Sequence, residues 1–383
     1  MHVEGFLHKT LSTVLHKKRL NTLTLLVSTV LKNRKLSLSA LGRDINLPIQ
    51  ERSGIKRVDR FLGNEKLYKE RESIYEVIIN HTLRFSERPD IIVDWSNIPN
   101  TTHHTLRAAL VAQGRAITLY EEVHIEKKLG TKKVHDEFLR KLKTLLPNQC
   151  KPIIITDAGF YNDWFKQINA LGWDFIGRVR AKKYFRKTKE EAWQLTSSLF
   201  SKASSKPENI GEVELCKSNS LKMQLCLFKG KSKKRISTKR SGRKANEYRK
   251  TAKEPWLLGT SLPKSYFLEK KVIKKYSMRM QIEEGFRDLK SSKYGFGLKN
   301  AYTKHPLRIG VLLLIAALAS LIAWLTGWVA EKNKLHFQFQ SNSIKKRRVL
   351  SLFFLGCRII KKKILISIKE LETAIYEGLA NGT

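Results

Sequence analysis

Residues 309–330, IGVLLLIAALASLIAWLTGWVA, carry no charge, and this segment limits what the chain can fold into more than any other feature. A helix of that length is able to cross a bilayer. The alternative is a helix enclosed on every side by the rest of a large domain. The chain has 383 residues, enough for a core that hides such a helix, and it is rich in amphipathic and strand-like segments elsewhere. The enclosed helix is therefore the expectation, with no membrane partner.

The surface must then carry most of the charge, and that charge is lopsided. There are 74 Lys and Arg against 34 Asp and Glu, a formal net charge of +40 and a pI near 10.1. An excess of this size points to a polyanion, because each cation placed on a phosphate releases condensed counterions. Double-stranded DNA is the first partner to consider, and an anionic membrane surface or ribosomal association are the plainer ones. The four cysteines (150, 216, 226, 357) are widely spaced, without a CxxC pair or a Cys/His cluster. That spacing argues against a zinc site or a disulfide framework and suits a reducing cytoplasm. The start, MHVEGFLHKTL, has Glu4 and no apolar run, so no signal peptide is expected.

Residues 1–85 read as short helices. LSLSALGRDI and GIKRVDRFLGN, separated by a polar stretch, suit a helix-turn-helix-like DNA-binding domain, although plain three-helix packing accounts for the same pattern. From residue 90 the period changes. DIIVDWSNI, LRAALVAQ and AITLYEEVHI read as strands, the last two as a hairpin, followed by the amphipathic helix VHDEFLRKLKTLL. The strand KPIIITDAGF, helix YNDWFKQINALG and strand WDFIGRVR complete a β-β-β-α-β-α-β order, an α/β fold with a mixed sheet. Residues 181–265 break the alternation and read as a β-rich insertion carrying a basic loop. Between Lys229 and Lys253 stand twelve Lys or Arg and one acid, Glu247. The expected division is thus 1–85, a first core part at 86–180, the insertion at 181–265, a second core part at 266–330 and a helical region at 331–383.

Asp94 and Asp157 share a context, each following an apolar run, IIVD and IIITD. Strand ends in α/β sheets are where ligands bind. A lone Asp there is commonly a turn or cap residue. Two on neighbouring strands suggest a shared cation, and hard oxygen donors suit Mg2+ or Mn2+. A third carboxylate is sought in KKYSMRMQIEEGFRDLKSSK, 274–293, read as one long helix. At about 100° per residue, Tyr276, Arg279, Glu283 and Lys290 lie within roughly 60° of one another. Glu284 lies outside that stripe, where pairing with Arg287 explains it without any function.

The pattern Y-x2-R-x3-E-x6-K, with VDWS at 93–96 and TDAG at 156–159 before it, resembles the YREK signature of bacterial insertion-sequence DDE transposases. Within that family it is similar to the cut-and-paste, hairpin-forming group that includes the transposase of the tetracycline-resistance transposon Tn-ten. The likeness extends over LGN at 62–64, EPWLLGTSLP at 254–263 and YSMRMQIEEGFRDLKS at 276–291. The resemblance implies an RNase H-like catalytic core in which Asp94, Asp157 and Glu283 hold two divalent ions, Mg2+ or Mn2+, per active site. It implies nicking, hairpin formation, hairpin hydrolysis and strand transfer at paired transposon ends by a homodimer in the bacterial cytoplasm, associated with the nucleoid. Tyr276, Arg279 and Lys290 would hold phosphates near a flipped base. Trp256 matches a tryptophan that fills the place of that base, with a strand-core role as the other reading. Arg178 and Arg180 are further candidates for DNA contact, or else an ordinary exposed strand end. A structure-specific nuclease or resolvase on the same fold, or an inactive DNA-binding derivative, are the competing functions.

Overall fold

The computed structural model describes residues 2–84, 86–230 and 254–379. Most of the basic loop read at 229–253 lies outside the described residues. The chain divides into two units, one of Met1–Cys150 with Met280–Thr383, the other of Lys151–Arg279.

The first unit is built around the uncharged segment. It forms α10 (Pro306–Lys332), which starts with proline at the first turn, where no amide hydrogen is needed, and ends when the Asn333 N–H bonds the Val329 carbonyl at 2.9 Å. This is the one helix among the described residues long and apolar enough to cross a membrane, and 94% of its most apolar window is buried. Its neighbours are α2 (Lys17–Asn33), α5 (Glu65–Leu83), α11 (Leu352–Lys361), α12 (Ile368–Ala374) and the strand β3 (Ala116–Ile125). Each buried Leu or Ile on α10 contributes about 1.5–3 kcal/mol, so only an all-round apolar helix gains from this central position. The buried Trp324 indole is satisfied, donating to the Gln113 carbonyl at 3.1 Å.

At the N-terminus, α1 (His2–Leu11) and α2 precede α3 (Leu38–Asp44) and α4 (Glu51–Leu62). The last two touch through glycines. A Cβ on Gly54 would stand 2.2 Å from the Gly42 carbonyl oxygen, and one on Gly42 would stand 2.4 Å from the Ile55 Cα. No other residue allows that crossing. Helix α4 buries Val58, Phe61 and Leu62 and exposes Arg52, Lys56 and Arg60.

The strands of this unit are β1 (Asp90–Asn97), β2 (His103–Val111) and β3, antiparallel in the order β3-β2-β1, and α6 (Lys132–Leu145) follows them. The hairpin expected between the second and third strands is present, closed by the Ala112 N–H on the Arg115 carbonyl at 3.1 Å.

In the second unit, β4 (Ile153–Thr156), α7 (Asn162–Ala170) and β5 (Asp174–Arg178) make a parallel βαβ turn, with Phe165 of the helix stacked on Phe175 of the strand at 4.4 Å. The strands of the 181–265 region extend this sheet. β10 (Trp256–Thr260) pairs antiparallel with β5, and β9 (Leu221–Phe228), β8 (Glu208–Leu215), β6 (Tyr184–Arg186) and β7 (Gln194–Leu195) follow in that order. Both units combine helices with strands, a mixed α/β fold.

The single helix expected over 274–293 is two. α8 (Leu268–Ser277) ends and α9 (Met280–Lys290) begins after a turn at Met278–Arg279. There the amides of Met278 and Arg279 bond three residues back, to Lys275 and Tyr276, and the Ser277 hydroxyl takes the Lys274 carbonyl at 2.6 Å. A serine hydroxyl competing for a helix carbonyl loosens the ladder, and no Gly or Pro marks the place. The four-residue stripe therefore does not run along one helix. Tyr276 and Arg279 belong to the second unit, Glu283 and Lys290 to the first.

Candidate active site

Asp94 sits where β1 leaves the core. Ile91, Ile92 and Val93 are fully buried, and Asp94, Trp95 and Ser96 are half-buried. One Asp94 oxygen, Oδ1, accepts from the Trp95 N–H at 2.8 Å. The Trp95 indole donates to Nε2 of His135 on α6 at 3.0 Å and meets the His124 ring edge-on at 5.5 Å. Burial lowers the His135 pKa to about 4, so the ring is neutral near pH 7 and able to accept that bond.

Helix α9 packs Ile282, Phe286 and Leu289 inward and leaves Glu283 exposed. Glu283 and Lys290 are seven residues apart on this one helix, hence on the same face. The Lys290 ammonium donates to Ser96 Oγ at 2.8 Å and Asn97 Oδ1 at 2.9 Å, tying α9 to β1 just beyond Asp94. Burial, and then the Arg107 charge, lower its pKa to about 8 against the opposing pull of Asp94. Glu284 has a different task. It accepts from Arg115 of the β2–β3 hairpin and lies 3.6 Å from Arg287, while Arg115 also donates to Asp288 at 2.6 Å. Burial raises the Asp288 carboxyl, with Arg115 opposing.

In the second unit, Asp157 follows β4, and its Oδ1 accepts from the Gly159 N–H at 2.7 Å. The Arg180 side chain returns to this turn, Nε donating to the Ala158 carbonyl at 2.9 Å. Tyr276, near the end of α8, is buried against Trp256, ring centroids 5.0 Å apart and nearly perpendicular, and Trp256 also meets Phe228 at 5.8 Å. Burial raises the Tyr276 phenol, with the Arg279 and Arg178 charges opposing and Asp157 adding to the rise. Arg178, Arg279, Tyr276, Trp256 and Asp157 are thus gathered at one end of this unit's sheet. Trp256 is half-buried, with a ring face committed to its neighbours.

The donor chemistry suits a hard divalent ion. Asp94, Asp157 and Glu283 offer oxygens only, all reach solvent at least in part, and each aspartate has one oxygen oriented by a backbone N–H. Among the described residues, no three His, Cys, Asp or Glu side chains are already grouped to hold an ion. Three contributors carry no motif of their own: Arg107, Glu121 and His135. Arg107 and Glu121 are charged residues within strands β2 and β3, and His135 is a buried histidine on α6.

Residues 85–320, more than half of the chain, match the profile of the family described as Transposase DDE domain. No curated protein matches the chain.

Proposed function

This chain belongs to the DDE transposase family, and from that premise we propose that it binds the ends of its insertion sequence, excises the element and joins the freed 3′ ends to target DNA. The finer reading follows the sequence. Asp94, Asp157 and Glu283 are the metal-holding carboxylates of an RNase H-like core of the hairpin-forming, YREK-bearing group, close to the Tn-ten transposase. The observation that carries the transposase reading is the family match, which spans both aspartate-bearing strands and the glutamate-bearing helix; the finer reading is supported by the sequence motifs alone.

Bound Mg2+ or Mn2+, two ions per site, would supply Lewis-acid activation of water and neutralise charge at the scissile phosphate. The chain's own residues do the rest. Asp94 and Asp157 present oxygens whose orientation is set by backbone amides, and Glu283 stands on the exposed face of α9. Lys290 holds that helix to β1 and is a charge for a DNA phosphate. Arg178, Arg279 and Arg180 provide further phosphate contacts, and Tyr276 and Trp256 an aromatic wall for an unstacked base. The exposed face of α4, with Arg52, Lys56 and Arg60, suits the DNA backbone or a groove. Two copies acting on paired ends complete the proposal, in the bacterial cytoplasm.

The test is a reaction of the purified protein with a DNA fragment carrying the element's ends, Mg2+ and a supercoiled target. Nicks, end hairpins and joined products are expected in that order of appearance. Cleavage that never yields joined product would favour a nuclease, and metal-independent binding with no cleavage would leave only a DNA-binding derivative.

A further inference from the structure

Helix α8 carries a basic stripe that the candidate site does not use. Its inner side is Leu268, Val272, Ile273 and Tyr276, all buried. On the other side Lys270, Lys271 and Lys274 are exposed, and counted from Phe267 they stand at offsets 3, 4 and 7, one face of a helix. Lysines on a solvated helix face are common and by themselves imply no partner. The residues at the head of this row are not common.

Tyr266 is 91% exposed and Phe267 54%, their rings perpendicular with centroids 5.0 Å apart. The Lys270 ammonium lies 4.0 Å from the centroid of the Phe267 ring. Phe267 has φ 60° and ψ 30°, the left-handed region, where a bulky side chain is strained and Gly or Asn is not. So exposed a ring returns little to the fold for that strain, but it backs Tyr266 edge-on and holds it out from the surface. Two apolar rings on a strained, water-facing turn suit a partner with apolar faces of its own. The charge beside them sets its sign, for between Pro263 and Lys274 four lysines stand against one acid, Glu269. A second copy, itself at +40, would be repelled. Duplex DNA offers both an anionic backbone and base faces.

We propose that Tyr266 is a wedge that enters a base step of the duplex at the element's end, with Lys270, Lys271 and Lys274 on the phosphates beside it. This wedge rests on the reading of Tyr276 and Trp256 as contacts to the same DNA. Tyr276 stands near the other end of α8, against Trp256, nine residues after Phe267. Nine helical residues span roughly 14 Å, or about four base pairs of duplex. DNA that meets the Tyr276 end of the helix and follows its lysines therefore reaches Tyr266. Insertion unstacks the step and bends the duplex, and stacking of the ring on a base offsets part of that cost while the lysines hold the bent backbone.

The test uses the full-length protein and duplex fragments of the element's end, without metal. Affinity is read by fluorescence anisotropy, and bending by energy transfer between dyes at the two termini of the fragment. Tyr266→Ala is expected to weaken binding about tenfold and to reduce the bend, and Tyr266→Phe to keep both near wild type. Tyr266 is so exposed that neither change should move Tm. A mismatch moved along the fragment loosens one step at a time. Wild type should gain about tenfold in affinity when the mismatch lies about four base pairs from the cleavage position, and Tyr266→Ala should gain nothing. Lys271→Gln combined with Lys274→Gln should lower the slope of log affinity against log salt by about 2. Full affinity and bend in Tyr266→Ala, or a wild type indifferent to the mismatch, overturns the proposal. So does a loss confined to self-association in sedimentation, which would give the surface to a second copy. Should wild type not distinguish the end fragment from an unrelated duplex, the reading of end binding falls by itself. An equal tenfold loss in Tyr266→Ala on both fragments would then still support the wedge, and no loss on either would overturn it.

Discussion

Asp94 and Asp157 both emerge from runs of buried isoleucine and valine, yet the protein surrounds them in different ways. Around Asp94 the neighbouring cations are tied to other acceptors, Arg107 to Glu121 and Lys290 to Ser96 and Asn97, and the next residue's indole is fixed by a neutral histidine. Around Asp157 the cations are arginines gathered with two aromatic rings, and one of them, Arg180, is spent on the backbone of the aspartate's own turn. In the first setting a backbone amide, that of Trp95, holds one carboxylate oxygen in place. The second offers planar donors and ring faces, the chemistry that suits phosphates and bases. The same short motif thus stands in two settings, and what separates them is the partners that tertiary structure brings.

The largest expected effect tests what the two aspartates have in common. Asp94→Ala, Asp157→Ala and Glu283→Ala should each lower cleavage by about a thousand-fold or more, with DNA-end binding measured by gel shift nearly unchanged. Strong residual cleavage in Asp157→Ala alone would show that the two settings do not serve one reaction.

Next comes the rigidity of the Asp94 side. The His135 pKa is lowered from its ordinary value to about 4 by burial. A depressed folded-state pKa means that stability is fully present above about pH 6.5 and is lost as pH falls toward 4, because the unfolded chain binds the proton first. Urea unfolding should therefore show about 2 kcal/mol less stability at pH 5 than at pH 7.5 from this group. His135→Gln, whose amide oxygen is able to accept the Trp95 indole, should remove that part of the pH dependence. An unchanged slope would mean that the histidine is not held neutral.

On the Asp157 side, Trp256→Ala should leave first-strand nicking near normal and slow hairpin formation about tenfold, with partial rescue by an abasic nucleotide at the position that leaves the stack. Equal slowing of every step, without rescue, would assign Trp256 to packing with Phe228 and Tyr276. The smallest effect concerns Glu284. Glu284→Ala should keep most activity and lower stability by about 1 kcal/mol, as a half-exposed ion pair with Arg115 is released. Loss of cleavage there, with activity kept in Glu283→Ala, reverses the assignment of the two glutamates.

That Glu283 and Glu284 point in different directions, Glu284 toward an arginine, was legible from helical angles, since the comparison between adjacent residues needs only one turn of helix. The inclusion of Tyr276 and Arg279 in the same stripe was not. It assumed a continuous helix, and the turn at Met278–Arg279 is made by a serine hydroxyl and two hydrogen bonds that reach back three residues instead of four, which periodicity does not register. Arg107 and Glu121 escaped notice because an Arg and a Glu on strands look like solvated positions until the strand register sets them face to face in a buried row.

The sequence by itself determined that residues 309–330 form a helix suited to being enclosed, that two apolar strands each deliver an aspartate, and that a +40 chain seeks a polyanion. Those properties are local or additive. They depend on spacing along the chain or on composition, and every copy of the pattern behaves alike. Only the tertiary structure decided which cations stand beside which carboxylates. Arg115 reaches Asp288 across 173 positions and Lys290 reaches Ser96 across 194, and no spacing rule links residues so far apart. Such pairings follow from strand register and helix packing. A shift of one residue in β2 would present Leu106 instead of Arg107 opposite Asp94.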